Sequence, residues 1–264
     1  MQRAPLIALL TDFGLADPYV GQMKAVLACA APLATLLDVS HGVAMGDVAQ
    51  ASFFLAATLP WLPPGAVAAA VVDPGVGTAR RVIAAELDGR FVLAPDNGLL
   101  TLALARAETV RAFDATPHLA PASATFHGRD VFAPLAARLA AGDAVEQLGP
   151  LLPREALVAL PGLSAERRGE AVTARVLSID VFGNVVTSCD VERFGGFRQA
   201  RLLAPVGREL VRAATYGELS PGAVGFLAGS QGYLELAVRD GSAAAVLGLS
   251  RSDFLEFWLP EGGA

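Results

Sequence analysis

The sequence predicts an α/β protein, with an N-terminal α/β domain on a mostly parallel central sheet and a smaller C-terminal antiparallel β-barrel-like domain. Three observations predict it. Short, nearly all-apolar runs alternate with helically spaced segments through the first part of the chain. That alternation then gives way to short β-like runs separated by glycines. Between the two lies "LPGLSAERRGEA", whose proline, glycines and charges suit a linker. The expected domains are residues 1–165 and 166–264.

"PLIALLTDF" reads as a central strand covered on both faces, because it is apolar without alternation. "YVGQMKAVLACAA" has helical spacing, with Val20, Met23, Val26 and Leu27 on one face. "ATLLDVS" reads as a second strand, and "GDVAQASFFLAATL" as a helix with Asp47 near its start. "AVAAAVVD", "RVIAAEL" and "RFVLAPD" read as the third, fourth and fifth strands, while "GLLTLALARA" and "DVFAPLAARLAAG" read as helices. Beyond the linker, "AVTARVLSID", "NVVTS", "RQARLLAP", "ELVRAATY", "AVGFLAG", "YLELAVRD" and "AAAVLGL" all read as β-like.

Composition narrows the function classes. Of 264 residues, 53% are hydrophobic and 17% charged, which excludes a disordered chain. The net charge of -6 and the lack of any long Lys/Arg run argue against a nucleic-acid partner. Cys29 and Cys189 are too far apart for a disulfide framework or a zinc site, and both are expected to be small buried apolar residues. The apolar part of "MQRAPLIALLTDF" is too short for a signal peptide. Val48–Val72 carries no charge, but Pro60, Pro63, Pro64 and Gly65 break it, so it reads as helix, turn and strand, not a membrane span. The expected setting is cytoplasmic.

Ligands of open α/β sheets sit outside the carboxyl ends of the strands. Asp12, Asp38, Asp73 and the pair Asp96-Asn97 fall at or near such ends. Any one of them can be a turn residue bonded to local backbone. In "VVDPGVGTARR", Asp73 ends an apolar run, glycines permit a close approach to a ligand, and Arg80 follows seven positions on. An Asp–Arg pair alone can be a plain salt bridge. His127 in "FHGRD", at a predicted helix start, adds a third polar group, and the three together suit the holding of a water molecule. "TDFG" lacks a kinase catalytic loop before it, and no P-loop, GxSxG, HExxH or Cys/His cluster is present. No metal ligand set is therefore expected. In the second domain, "IDVFGNVVTS" offers Asp180, Phe182 and Asn184 around a glycine, a set that grips a base and a charged group or simply forms a turn. Ser230 lies in a glycine-flanked turn, and Glu235 is an acid inside an apolar run, costly unless exposed or paired.

The ordered set "LLTDFG", "DPYVGQMKAVL", "VVDPGVGTARR", "APDNGLL", "FHGRDVFAPLAARLA", "DVFGNVVTS" and "GSQGYLELAVRDGSAA" resembles the S-adenosyl-L-methionine hydroxide adenosyltransferases, relatives of the fluorinase and chlorinase. The resemblance runs from about residue 6 to residue 258. It implies hydrolysis of S-adenosyl-L-methionine to adenosine and L-methionine, with no cofactor. It also implies a homotrimer whose sites lie between subunits. The family's Asp–Arg–His set falls on Asp73, Arg80 and His127, with Arg81 adjoining as an alternative. The ribose acid falls on Asp12, with Asp17 close by, and Phe126 is implied as a substrate contact. Asp180 and Ser230 match methionine contacts, Phe182 and Asn184 adenine contacts, and Glu235 a further substrate contact. Halogenases lack the Asp–Arg–His set and carry an extra loop that the short stretch from Asp73 to His127 does not accommodate. The alternatives are a binding protein for S-adenosyl-L-methionine or adenosine without turnover, and a halogenase.

Overall fold

The computed structural model describes residues 4–119, 123–194 and 199–260. The first three residues of the N-terminal run and Arg198 of "RQARLLAP" lie outside them. The chain divides into two compact units, Met1–Leu160 and Pro161–Ala264.

The first unit runs β1 (Leu6–Thr11), α1 (Tyr19–Ala30), β2 (Thr35–Ser40), α2 (Val48–Thr58), β3 (Val67–Val71), β4 (Val82–Leu87), β5 (Arg90–Pro95), α3 (Thr101–Arg106), β6 (Val110–Asp114), α4 (Ala133–Ala140) and β7 (Leu151–Leu152). Its seven strands are ordered β2-β1-β3-β5-β4-β6-β7. The pairs β2–β1, β1–β3 and β3–β5 are parallel, and β4 is antiparallel to both β5 and β6. Hence β2, β1, β3, β5 and β6 point one way, and the expected mostly parallel sheet is present. β3 is buried at every position, as a strand covered on both faces must be, whereas the edge strand β2 is largely open. Met23 and Leu27 of α1 and Leu135 and Leu139 of α4 bury one face of the sheet against Ile7, Leu9, Val67 and Leu93.

One detail adds to the expected layout and one departs from it. β4 and β5 form an antiparallel hairpin, turned by Asp88 and Gly89, both at positive φ. Cys29 is exposed while Cys189 is buried. Val20, Met23 and Leu27 define the inner face of α1, and Cys29 falls off that face.

The second unit runs β8 (Glu166–Arg168), β9 (Ala171–Ile179), β10 (Val185–Asp190), α5 (Val191–Phe194), β11 (Ala200–Ala204), β12 (Arg208–Arg212), β13 (Val224–Ala228), β14 (Tyr233–Val238), α6 (Ala243–Leu247) and β15 (Phe254–Trp258). The order β10-β14-β13-β12-β11-β15-β9 closes because β9 also pairs with β10. The long β9 makes this possible: residues 171–175 pair with β15, while Val176, Ser178 and Ile179 pair with β10. Closure leaves no open edge among the seven strands. All pairs are antiparallel except β12–β13. Val172, Val185, Leu202, Phe226, Leu236 and Phe257 fill the interior. "AAAVLGL" is not a strand. Ser242 caps the Ala245 N–H at 3.1 Å and starts α6 there.

Candidate active site

Strand register assembles the site of the first unit. Thr11 of β1 pairs with Val71 of β3, so the two strands end side by side. Asp12 leaves the end of one and Asp73 the end of the other. Asn97, beyond β5, donates its side-chain N–H to the Val72 carbonyl at 2.9 Å and ties the third strand end to the second. This is the rim at which ligands of open α/β sheets bind.

After Asp73 the chain makes consecutive tight turns, with Val76 N–H donating to the Asp73 carbonyl at 3.1 Å and Thr78 N–H to the Gly75 carbonyl at 3.1 Å. Gly77 has φ +79°, and a Cβ there would lie 2.7 Å from the Ala124 carbonyl oxygen. Only glycine lets this loop pass so close to the segment that carries His127. The loop then returns Arg80 to Asp73. Arg80 Nε lies 3.0 Å from Oδ1 and 2.9 Å from Oδ2, and Nη2 also bonds Oδ2. The same Nη2 lies 2.6 Å from His127 Nδ1. Both charged side chains are nearly inaccessible, Arg80 at 8% and Asp73 at 5% exposure. Such a desolvated, forked ion pair holds a fixed geometry. Arg80 Nη1 is buried without a hydrogen-bond partner among the described residues. Arg81 points elsewhere. Its Nε donates to Asp96 Oδ2 at 2.8 Å, and Asp96 Oδ1 accepts from Val158 N–H at 2.8 Å. The geometry therefore joins Arg80, and not Arg81, to Asp73 and His127.

His127 precedes a π-helical turn, Gly128–Phe132, that leads into α4. Burial, and then the Arg80 cation, push its imidazole below the usual value of 6.5, against the opposing pull of Asp73 and Asp130. A guanidinium can only donate, so Nδ1 is the acceptor and the neutral ring carries its hydrogen on Nε2.

Asp12, Asp73, Phe126 and His127 line one cavity of about 520 Å³, a size suited to a nucleoside-sized ligand. Asp12 Oδ2 accepts from Gly46 N–H at 2.8 Å. Phe13, Tyr19 and Met45, which the sequence reading did not single out, also line it. Phe13, Tyr19 and Phe126 form a cluster with centroids 5.2–6.0 Å apart, Phe126 meeting both other rings edge-to-face. Arg80 is not in the lining, and Asp17 is exposed outside it, on the turn before α1.

The second unit has its own pocket, about 860 Å³, lined by Asp180, Phe182, Asn184, Tyr216 and Ser242 among others. Asp180 organises the β9–β10 turn. Its Oδ1 accepts from Phe182 and Asn184 N–H, each at 2.9 Å, and its Oδ2 from Asn184 Nδ2 at 2.9 Å. Gly183, at φ +84°, has no room for a Cβ, which would meet Ser242 Oγ at 2.2 Å. The turn leaves Phe182 76% exposed. Glu235, on β14, is buried and accepts from Tyr216 O–H at 2.6 Å. Burial and then Asp180 raise its carboxyl above the ordinary value, against the Tyr216 hydrogen bond. Neither Glu235 nor Ser230 lines the pocket, although Glu235 reaches it through Tyr216.

Comparison with known proteins follows the same two units. Residues 7–149 match the SAM hydroxide adenosyltransferase N-terminal domain, and residues 174–256 match the C-terminal domain of that family. The chain is 46% identical over 255 residues to the (R)-S-adenosyl-L-methionine hydrolase of Thermus thermophilus, covering 92% of this chain and 95% of the relative. It is 28% identical over 283 residues to the fluorinase of Nocardia brasiliensis, covering 92% and 93%. A crystal structure of an uncharacterized conserved protein from Thermotoga maritima superposes with a TM-score of 0.85 at 32% identity, covering 95% of this chain and 99% of that one. With both domain models matched in order and high identity across nearly the whole length, the chain belongs to the SAM hydroxide adenosyltransferase family.

Proposed function

We propose that this protein hydrolyses S-adenosyl-L-methionine to adenosine and L-methionine by attack of water on C5′. The observation that carries the reading is Asp73 and His127 on the wall of a nucleoside-sized cavity, joined to one another by Arg80. The likeness to a hydrolase named for this substrate supports it. In the reaction the water oxygen bonds to C5′ as the C5′–S bond breaks with its electron pair going to sulfur. The leaving group is a neutral thioether and needs no acid. One water proton must go to a base. Placing and stripping the nucleophile is then the main task, and such positioning is worth roughly 7–11 kcal/mol in favourable intramolecular cases.

The geometry divides the work. His127 donates its Nε2 hydrogen to the oxygen of the attacking water, because Arg80 occupies Nδ1. Asp73 is the proton acceptor, since a neutral imidazole in this tautomer has no free lone pair to offer. Arg80 locks both side chains and favours the developing hydroxide through its buried positive charge. Asp12 receives the ribose hydroxyls, with Asp17 as a secondary contact from the adjoining turn, and Phe126 packs on the sugar or base. No cofactor enters this scheme.

The remaining substrate contacts belong to the second unit. Phe182 and Asn184 hold adenine and Asp180 the methionine part from the pocket lining, Ser230, outside that lining, holds the methionine part from the turn before β14, and Glu235 acts through Tyr216. We propose a homotrimer in which the second unit of one subunit completes the cavity of its neighbour. The exposed Phe182, and the exposed Met45 lining the first cavity, favour that arrangement. Mixing Asp73→Ala with Asp180→Ala protein, after dissociation and reassembly, should restore part of the activity. No restoration would remove the shared site.

The reading is tested by incubating the protein with S-adenosyl-L-methionine and separating the products by chromatography. Adenosine and methionine in equal amounts are expected. Bound but unchanged substrate would make the protein a binder.

A further inference from the structure

Behind the cavity wall runs a line of polar groups that the proposed chemistry does not use. Thr11, the last residue of β1, is fully buried, and its Oγ1 lies 2.8 Å from His41 Nδ1. The same oxygen accepts from Phe13 N–H at 3.3 Å. The His41 carbonyl accepts from Gly14 N–H at 2.8 Å. On the far side of the ring, His41 Nε2 lies 3.1 Å from Asp38 Oδ1, a short contact not aligned as a hydrogen bond. Asp38 Oδ2 in turn bonds Lys24 Nζ at 2.7 Å. Burial works to raise the Asp38 carboxyl, but Lys24 and His41 outweigh it and hold it below its ordinary value.

The order carboxylate–imidazole–hydroxyl is that of a nucleophile triad, but Thr11 is no nucleophile. It has no exposed surface, and its oxygen is already engaged with Phe13 N–H and the His41 ring. What the line does hold is a turn. The His41 ring holds the Thr11 side chain and the His41 backbone carbonyl holds Gly14 N–H, on either side of Asp12 and Phe13. Five residues further on, Gly46 N–H bonds Asp12 itself. His41 is not in the cavity lining.

We propose that the His41 side chain positions the nucleoside end of the substrate, fixing Asp12 and Phe13 at the cavity through the Thr11 hydroxyl, with Asp38 and Lys24 orienting its ring. The inference rests on the hydrolase reading given above. It requires that loss of His41 weaken nucleoside binding without touching the water-handling groups.

The experiment compares wild type, His41→Ala, Thr11→Val, the double variant and His41→Asn. His41→Ala and Thr11→Val should each raise KM for S-adenosyl-L-methionine by about tenfold, the cost of leaving one buried polar group unpaired, with kcat within about twofold. The double variant should be no worse than His41→Ala, because the two residues act as one unit. His41→Asn, whose amide reaches toward the same Thr11 oxygen, should recover most of the affinity. Adenosine and 2′-deoxyadenosine should bind with more similar Kd values in His41→Ala than in wild type. A wild-type KM and an unchanged Kd ratio in His41→Ala would overturn the proposal. So would additive losses in the double variant, or a kcat that falls with the folded fraction at constant KM. If wild type turns over no substrate, the hydrolase reading fails, while the two Kd values still decide whether His41 positions the nucleoside turn.

Discussion

Arg80 Nη2 approaches His127 Nδ1 to 2.6 Å while the same guanidinium grips both oxygens of Asp73. One cation thus fixes a carboxylate and a neutral imidazole, and it decides which ring nitrogen keeps its hydrogen. Protonating His127 would set N–H against N–H at that contact. The pairing is stable only while the ring is neutral.

A pH dependence follows. His127 titrates below 6.5, so the native ring stays neutral when an unperturbed histidine would begin to charge. The midpoint of the acid limb, where activity is limited by the neutral ring, should therefore lie below pH 6.5. In Arg80→Met the cation that depresses the ring is gone, while Asp73, which raises it, remains. The acid limb of the residual activity should move upward in pH. A limb at the same pH in both proteins would show that it does not belong to His127.

Arg80→Lys keeps the charge but not the fork. A lysine ammonium cannot bond both Asp73 oxygens and His127 Nδ1 in one plane. We expect kcat to fall by about two orders of magnitude or more, in the range of a lost general acid–base group, with KM changed less than about threefold. Near-wild-type kcat would mean that charge alone suffices.

Much of this arrangement is legible in the sequence. Apolar runs that end in acids identify strand ends, and the parallel register of β1 and β3 places Asp12 and Asp73 on one rim. The choice between Arg80 and Arg81 was not legible, because adjacent residues differ only in direction, and that is set by where the loop turns over Gly77. Phe13 and Tyr19 escaped notice because an aromatic in a strand–loop–helix segment reads equally well as core. Tyr216 escaped because its signal lies in Glu235, nineteen positions away and paired only in the fold. Asp88-Gly89 between two apolar runs is the hairpin signal that sets β4 antiparallel to β5. The sequence reading lacks β15, although Phe254–Trp258 alternates exposed and buried positions, and α6 reads as β-like because its Ala, Val and Leu run carries no period of its own.

Glu235 should limit stability at neutral pH. Its native carboxyl titrates above the unfolded value of 4.5. Native protein therefore holds a proton that the unfolded chain has lost, and stability declines as pH rises through that window. Glu235→Gln keeps an acceptor for Tyr216 O–H and removes the buried charge. Its Tm should exceed that of wild type at pH 7 and approach it below pH 4.5. A Tm gain equal at both pH values would contradict the titration.

The two thiols should differ in reactivity. Burial raises the Cys189 thiol to about 12, whereas Cys29 is exposed on α1. Native protein should react with one equivalent of a thiol reagent and denatured protein with two. Rapid labelling of both thiols in the native state would mean that the barrel opens readily.

The central claim is that water held by Asp73 and His127 supplies the new atom on C5′. A carboxylate there disfavours halide, since two unit negative charges about 4 Å apart at an effective dielectric near 20 repel by roughly 4 kcal/mol, a repulsion that the Arg80 cation offsets in part, and a halide gives Asp73 no proton to accept. Reaction in oxygen-18 water with chloride or fluoride added measures this directly. The account predicts adenosine labelled at its 5′ oxygen, unlabelled methionine and no 5′-halo nucleoside. Adenosine without the label, or a halo-nucleoside as main product, would contradict it.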